Sequence, residues 1–293
     1  QRTVLKESLL RPMLFGTALK LGQLFKPVLP GVLAKKVPAV RPRGVWPSAR
    51  HSRRMLVLAG CVQPNLAPDI NAAAARVLDR FGISLVEVRS AGCCGALKFH
   101  IDDQAGGRDD VRRLIDAWWP HVEHGVEAIV MTASGCGAFV REYDHVLGSD
   151  PAYAAKAKRI VALTRDLSEV VAAERDRIAG ALNADAPRLK VAFHAPCSLQ
   201  HGQKIRGLVE GLLSAAGCEL TPVAGAHLCC GSAGTYSILQ PQLATQLRDN
   251  KVASLLDGNP QVIATANVGC LAHLETGTAV PVRHWIEVLY ERL

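Results

Sequence analysis

Laid against itself, the chain repeats its cysteines at long range. Cys61 precedes the run Cys93-Cys94-Gly95 by 32 positions, and Cys197 precedes Cys229-Cys230-Gly231 by the same 32. Cys136 and Cys270 then follow the second cysteine of each pair by 42 and 40 positions. A period of this kind marks a duplicated structural unit, so whatever the first copy folds into, the second must fold into as well. The segments between the cysteines repeat too. Met55-Leu56-Val57-Leu58 and Val191-Ala192-Phe193 read as short buried strands running into Cys61 and Cys197. Helical stretches follow over 71–81 and 203–216, each closed by a glycine, Gly82 or Gly217. Second strands over 84–88 and 219–223 lead to the Cys-Cys-Gly loops. Further helices over 109–118 and 242–256 lead to third strands over 128–131 and 262–264, which deliver Cys136 and Cys270.

The expected fold is therefore α/β: two tandem cysteine-rich β-α-β-α-β units with parallel sheets, right-handed crossovers and helices on the sheet faces. Residues 1–54 form a basic amphipathic lead-in, 55–150 the first repeat, 151–188 a helical connector rich in Ala and charged residues, and 189–293 the second repeat. At 49% apolar residues, each copy has the material for a core. In parallel sheets the strand-to-helix loops all emerge at the carboxyl ends of the strands. Every cysteine of the repeat falls in such a loop. Two quartets are predicted: Cys61, Cys93, Cys94 and Cys136 at one edge, and Cys197, Cys229, Cys230 and Cys270 at the other.

Four thiolates at one point suit a soft metal, with iron–sulfur clusters and tetrahedral zinc as the alternatives. Structural zinc ligands usually stand about two to four residues apart on a knuckle. Adjacent cysteines favour a cluster, because several metal atoms let neighbouring thiolates bind without both reaching one ion. The total of nine cysteines is odd, and the start of the chain carries no secretory signal pattern. Both point to a reducing, cytoplasmic setting rather than to disulfides, which also disfavours a vicinal disulfide within each pair. Cys218 has no counterpart in the first copy and reads as an inert buried thiol.

The net charge of +8 is localised. Residues 1–54 hold twelve Lys or Arg against the single acid Glu7, a balance of +11, which leaves the rest at about −3. A basic body interleaved with aromatics would suggest nucleic acid; this pattern does not. No apolar run is long enough to span a bilayer. Between Arg11 and Lys26, however, Leu14, Ala18, Leu21 and Phe25 recur at helical spacing among Lys20, Gln23 and Lys26. This describes a helix that lies on an anionic membrane, docks on a partner subunit, or packs on the protein's own surface. Pro27, Pro30, Pro38, Pro42 and Pro47 make 26–52 linker-like. The expected location is cytoplasmic, with a peripheral site on the inner face of the membrane as the variant.

The spacing of Cys, 31 residues, Cys-Cys-Gly and a distal Cys resembles the cysteine-rich CCG domain of heterodisulfide reductase and its relatives, over residues 55–293. Within that group, the run Phe-His-Ala-Pro-Cys-Ser-Leu-Gln-His-Gly-Gln from Phe193 to Gln203, and Leu-Cys-Cys-Gly-Ser-Ala-Gly-Thr-Tyr-Ser from Leu228 to Ser237, are similar to the iron–sulfur subunits of glycolate oxidases. The resemblance implies an oxidoreductase subunit. In such a complex a partner subunit holding FAD oxidises glycolate to glyoxylate, and electrons pass through iron–sulfur clusters toward quinone. The chain has no flavin or nicotinamide glycine fingerprint, so substrate chemistry belongs to the partner and no catalytic residue is assigned here.

Two departures from the family pattern matter. Its distal motif often ends Cys-x-x-Cys, whereas Phe139 and His273 stand at those positions. Four cysteines per copy instead of five imply an ordinary [4Fe-4S] cluster rather than the noncubane cluster of heterodisulfide reductase. The N-terminal ferredoxin domain of the complete subunit, with its Cys-x-x-Cys-x-x-Cys run, is missing from this sequence. His273 either replaces the lost ligand or is a helix-surface histidine. His194, His201 and His227 flank the second quartet, where they either donate hydrogen bonds that tune a cluster or satisfy loop carbonyls. The rival readings are the iron–sulfur subunit of a lactate-oxidising complex, a heterodisulfide or thiol-disulfide reductase subunit, and a structural zinc-binding assembly module.

Overall fold

A computed structural model describes residues 12–34, 37–183 and 186–293. Two four-stranded sheets carry the fold, each parallel throughout. The first runs β2-β1-β3-β4, with β1 Arg53–Val57, β2 Ile83–Glu87, β3 Ile129–Met131 and β4 Thr164–Asp166. The second runs β6-β5-β7-β8, with β5 Leu189–His194, β6 Cys218–Leu220, β7 Val262–Thr265 and β8 Val282–His284. The two orders are the same, so the cysteine repeat is a repeat of architecture. Consecutive residues Met55, Leu56 and Val57 of β1 are all buried, as are Val191, Ala192 and Phe193 of β5. Strands covered by helices on both faces need this unbroken apolar run rather than alternation.

Each sheet has one strand more than the β-α-β-α-β reading allows. β4 lies inside the stretch expected to be a helical connector, and β8 follows the last cysteine helix. Both are three residues long, too short to leave a periodic signal. They do share a pattern: Arg165-Asp166, then Glu169-Val170, matches Arg283-His284, then Glu287-Val288. Asp166 and His284 each end their strand as the N-cap of a helix, α7 Leu167–Ala173 and α11 Trp285–Arg292, and each closes a capping box with its glutamate.

These terminal helices cross between the halves. α11 packs on α2 (Asp69–Arg80) of the first half, and α7 packs on α8 (Leu208–Ala215) of the second. Ile70, Val77, Val171, Leu212, Leu213, Trp285 and Leu289 therefore belong to a single core that serves both sheets. At about 1.5–3 kcal/mol for each large apolar side chain fully buried, neither half would keep its stability if the other were removed. A second core lies on the far face of the first sheet, where Val111, Leu114 and Trp118 of α4 (Gln104–Glu123) meet Leu56, Ile129 and Tyr143.

The lead-in is not a loose tether. Trp46 Nε1 donates to the Leu85 carbonyl at 3.3 Å, and the Arg50 and His51 amides donate to Ser84 Oγ at 3.0 and 2.9 Å. Arg41 reaches the second half, pairing with Glu275 at 3.1 Å. The prolines thus hold an extended strap across both sheets. Ahead of it, α1 (Pro12–Phe25) sets Gly16 against Asn65. The predicted stripe of Leu14, Ala18, Leu21 and Phe25 faces away and stays exposed. No described helix is long and apolar enough to cross a membrane.

Candidate metal centres

The cysteine loops emerge where the register predicts, beyond the carboxyl ends of the strands. In each half the first cysteine follows the central strand, and the pair follows the edge strand next to it. The last cysteine sits in the first turn of a helix, Cys136 in α5 (Ser134–Val140) and Cys270 in α10 (Val268–Glu275).

The glycine after each pair shows why the motif has this form. Gly95 and Gly231 have φ of 90° and 85°, a left-handed conformation that a side chain disfavours. A Cβ on Gly95 would meet the Gly107 carbonyl oxygen at 2.8 Å, and one on Gly231 the Ala244 carbonyl oxygen at 2.5 Å. The turn so formed points each glycine amide back at the first sulfur of the pair: Gly95 N to Cys93 Sγ at 3.4 Å, Gly231 N to Cys229 Sγ at 3.3 Å.

The structure brings all four cysteines of each quartet together. In the first, Cys61 hydrogen-bonds Cys93, and Cys94 bonds Cys136 and Cys93. In the second, Cys197 bonds Cys229, and Cys230 bonds Cys229 and Cys270. Within each set the thiols polarise one another. Hydrogen bonds from Cys61 and Cys94 hold Cys93 well below the ordinary thiol range, and those from Cys197 and Cys230 do the same for Cys229. Cys230 and the nearby His194 hold Cys270 down in turn. Sharing protons in this way is what a thiol set does when it is arranged to bind metal as thiolates. All nine cysteines are free. Cys218 stands apart in β6, in the shared core, where burial raises its thiol.

The histidines divide. His201 Nε2 donates to the His227 carbonyl at 2.9 Å on the exposed rim, and His227 itself is exposed. His273 Nε2 donates to the Ala244 carbonyl at 3.1 Å, which binds α10 to α9 (Pro241–Leu256). These bonds satisfy backbone carbonyls. His194 differs: it is 1% exposed, neither ring nitrogen has a hydrogen-bond partner, and its ligand atom lies within 4.8 Å of the Cys230 and Cys270 sulfurs. A buried imidazole without partners is costly, and a metal or cluster sulfur between those thiols would satisfy it. The donor set and this unsatisfied ring fit an iron–sulfur group at the second quartet; the first offers the same four sulfurs.

Three groups at the sites left no legible signal in the sequence. Asn267, the N-cap of α10, turns its amide to donate to Cys270 Sγ at 3.5 Å and accepts from Gly135 N, next to Cys136, at 3.4 Å. Tyr143 OH donates to the Cys94 carbonyl at 2.5 Å. Lys251, 3% exposed, lies within electrostatic reach of Cys197, Cys230 and Cys229. The two quartets are also joined directly, through Ser134 Oγ and Ser198 Oγ at 2.8 Å, and Val268 of the second half lines the recess that holds Cys61 and Cys136.

The chain matches the CCG cysteine-rich domain twice, over residues 55–141 and 191–275. It is 47% identical over 297 residues to the glycolate oxidase iron–sulfur subunit of Escherichia coli, covering all of this chain and 71% of that one. A probable glycolate oxidase iron–sulfur subunit of Bacillus subtilis is 31% identical over 85% of this chain and 55% of its own length. Lactate utilization protein A of Bacillus velezensis is 28% identical over 79% of this chain and 97% of its own length. Two CCG matches on two equivalent sheets, with 47% identity along the full chain, place this protein in the family of glycolate oxidase iron–sulfur subunits built on paired CCG domains.

Proposed function

We propose that the chain holds a [4Fe-4S] cluster at each cysteine quartet and serves as the electron-carrying subunit of a complex that oxidises glycolate to glyoxylate. The observation that carries this reading is the convergence of eight thiols into two quartets, one of them completed by the unpartnered His194. Cys61, Cys93, Cys94 and Cys136 would hold one group, and Cys197, Cys229, Cys230 and Cys270 the other. When bound, such a group takes up and releases single electrons. The chain's own part is to bind it through thiolates, to aim the Gly95 and Gly231 amides at its sulfur ligands, and to exclude water with the shared core. Oxidation of the hydroxy acid belongs to a partner subunit carrying FAD, with quinone as the final acceptor. Identity of 47% to a glycolate oxidase subunit, against 28% to a lactate utilization protein, favours glycolate.

Anaerobic reconstitution tests the cofactor. About four irons per quartet, with matching sulfide and a visible absorption bleached by dithionite, is the expected result. A colourless protein holding stoichiometric zinc would leave a structural module instead. Assays of the assembled complex with glycolate and lactate in parallel test the substrate.

For location, the exposed stripe of α1 supports the cytoplasmic face of a membrane. Leu14, Leu21, Leu24 and Phe25 are each at least half exposed, in a lead-in of charge +11. An apolar stripe among cations suits an interface of anionic lipid. Cosedimentation with phosphatidylglycerol vesicles but not with phosphatidylcholine vesicles is expected, and L21E should abolish it without altering the unfolding curve.

A further inference from the structure

His194 and Thr265 face each other across the ladder between β5 and β7, the two middle strands of the second sheet, and each is the last residue of its strand. Partners in a parallel register carry their side chains on the same face of the sheet. Both residues are shut off from solvent, at 1% and 0% exposed. Neither ring nitrogen of His194 has a hydrogen-bond partner, and neither does the hydroxyl of Thr265.

The duplicated unit supplies the comparison. Leu58 stands three residues before Cys61 as His194 stands before Cys197, and Met131 stands five before Cys136 as Thr265 stands before Cys270. Leu58 and Met131 are also buried, and both line the recess that holds Cys61 and Cys136. The strand ends beneath the first quartet are therefore apolar, while the same ends beneath the second carry an imidazole and a hydroxyl. A fold that can close this place with Leu and Met has no packing need for polar groups there. Buried polar atoms without partners are destabilising unless something bound at the site satisfies them.

Distance shows what the ring meets. One ring nitrogen of His194 and the sulfurs of Cys230 and Cys270 lie within 4.8 Å of one another, and among the described residues no other set of potential metal ligands is that compact. Metal–sulfur bonds of about 2.3 Å and metal–nitrogen bonds of about 2.0 Å set ligand atoms on one tetrahedral ion about 3.5–3.8 Å apart, so these three need little movement to close on a metal. An imidazole that binds metal through one nitrogen is held by a hydrogen bond from the other to a nearby oxygen. Thr265 Oγ1, unengaged on the adjoining strand, is such an oxygen.

Resting on the iron–sulfur reading above, we propose that His194 is a direct metal ligand of the second centre, a fifth donor beside Cys197, Cys229, Cys230 and Cys270, and that Thr265 is the positioning residue that holds its ring. The two centres then differ in kind: sulfur alone binds the first, sulfur and one imidazole nitrogen the second. A neutral imidazole adds a bond to the metal without adding negative charge, so the second centre gains an anchor with no further repulsion among its thiolates.

The test is pulsed electron paramagnetic resonance on the anaerobically reconstituted, dithionite-reduced chain carrying isotope-labelled histidine. C94S, which leaves the second quartet alone, should show a strongly coupled histidine nitrogen; C230S, which leaves the first alone, should show none. H194L in the C94S background should remove that coupling and lose iron to a chelator about tenfold more readily. H194C offers a thiolate at the same place and should restore retention without the nitrogen coupling, which separates ligation from packing. T265V should keep the coupling and weaken retention by about tenfold, and T265S should match wild type. A reducible second centre with no histidine coupling, a coupling that survives H194L, or an H194L chain that holds iron as wild type does would each overturn the ligand assignment and leave ordered water as the partner of the ring. T265V that behaves as wild type would strike out Thr265 alone. A wild-type chain with no reducible iron would instead defeat the cluster reading on which the ligand rests.

Discussion

The two cysteine quartets share a backbone and differ in what surrounds it. Both hang from the same strand order, both use a left-handed glycine to turn an amide onto the first sulfur of the pair, and both set the last cysteine in the first turn of a helix. Around the first quartet lie Leu58, a tightly packed Phe139 and Tyr143, and a lysine that shares Asp110 with Arg113. Around the second lie His194, Asn267 and a lysine with no described acidic partner, and Leu228, next to Cys229 in the chain, is more than half exposed. The duplicated part is what binding requires of any such site. The divergent part sets charge, hydrogen bonding and access, so two similar pockets are made chemically unequal.

The most severe way to break this comparison is to remove one ligand from each side. C94S and C230S should each lose about half of the bound iron and leave the other quartet's signal intact, as iron analysis and electron paramagnetic resonance would show. Loss of all iron from either variant would mean that the quartets do not load separately. Next in size is the turn glycine. G95A and G231A force a side chain into a left-handed backbone and against a carbonyl oxygen, at a cost of about 3 kcal/mol in urea unfolding, G231A the larger because its contact is closer.

The helix caps provide a comparison of similar size that pH can read. Burial pushes Asp166 up to about 6 from an ordinary 3.8, and it pulls His284 down to about 4 from 6.5. The contribution of Asp166 is present in full below pH 3.8 and is lost as pH rises through 6. That of His284 is present above pH 6.5 and is lost as pH falls toward 4. Equivalent positions thus carry opposing slopes, each worth about 3 kcal/mol across that window. Relative to wild type, H284N should lose stability between pH 4 and 6, and D166N should gain it. Urea titrations at several pH values would show this, and parallel curves for the three proteins would refute it.

The smallest expected effect belongs to His194. H194L copies the first site's leucine and should weaken metal retention at the second quartet by about tenfold, measured by chelator challenge, with the first quartet unchanged. Equal loss at both would remove His194 from the account.

Much of this molecule is legible from its residues. The cysteine repeat named the thiols that converge in each half, the glycines at 82 and 217 marked helix ends that do have positive φ, and the buried strands fell within about two residues of their predicted positions at most ends. The fourth strands escaped because three residues carry no period, although the pattern of Arg165 to Val170 returns at Arg283 to Val288. The strap over 37–52 escaped because prolines read as a linker wherever the chain's partners are unknown.

By itself, the sequence determined how many cysteine quartets there are, which thiols belong to each, and that both sit at the carboxyl edges of parallel strands. Those features follow from local rules: alternation of elements, a glycine that only one backbone conformation accepts, and a duplicated spacing. Tertiary structure alone decided that each half ends in a helix buried against the other, that the two quartets touch through Ser134 and Ser198, and that Lys251 and Asn267 stand beside the second. Such facts depend on residues far apart in the chain meeting in one low-dielectric interior. No spacing along a chain encodes which buried charge will lack a partner.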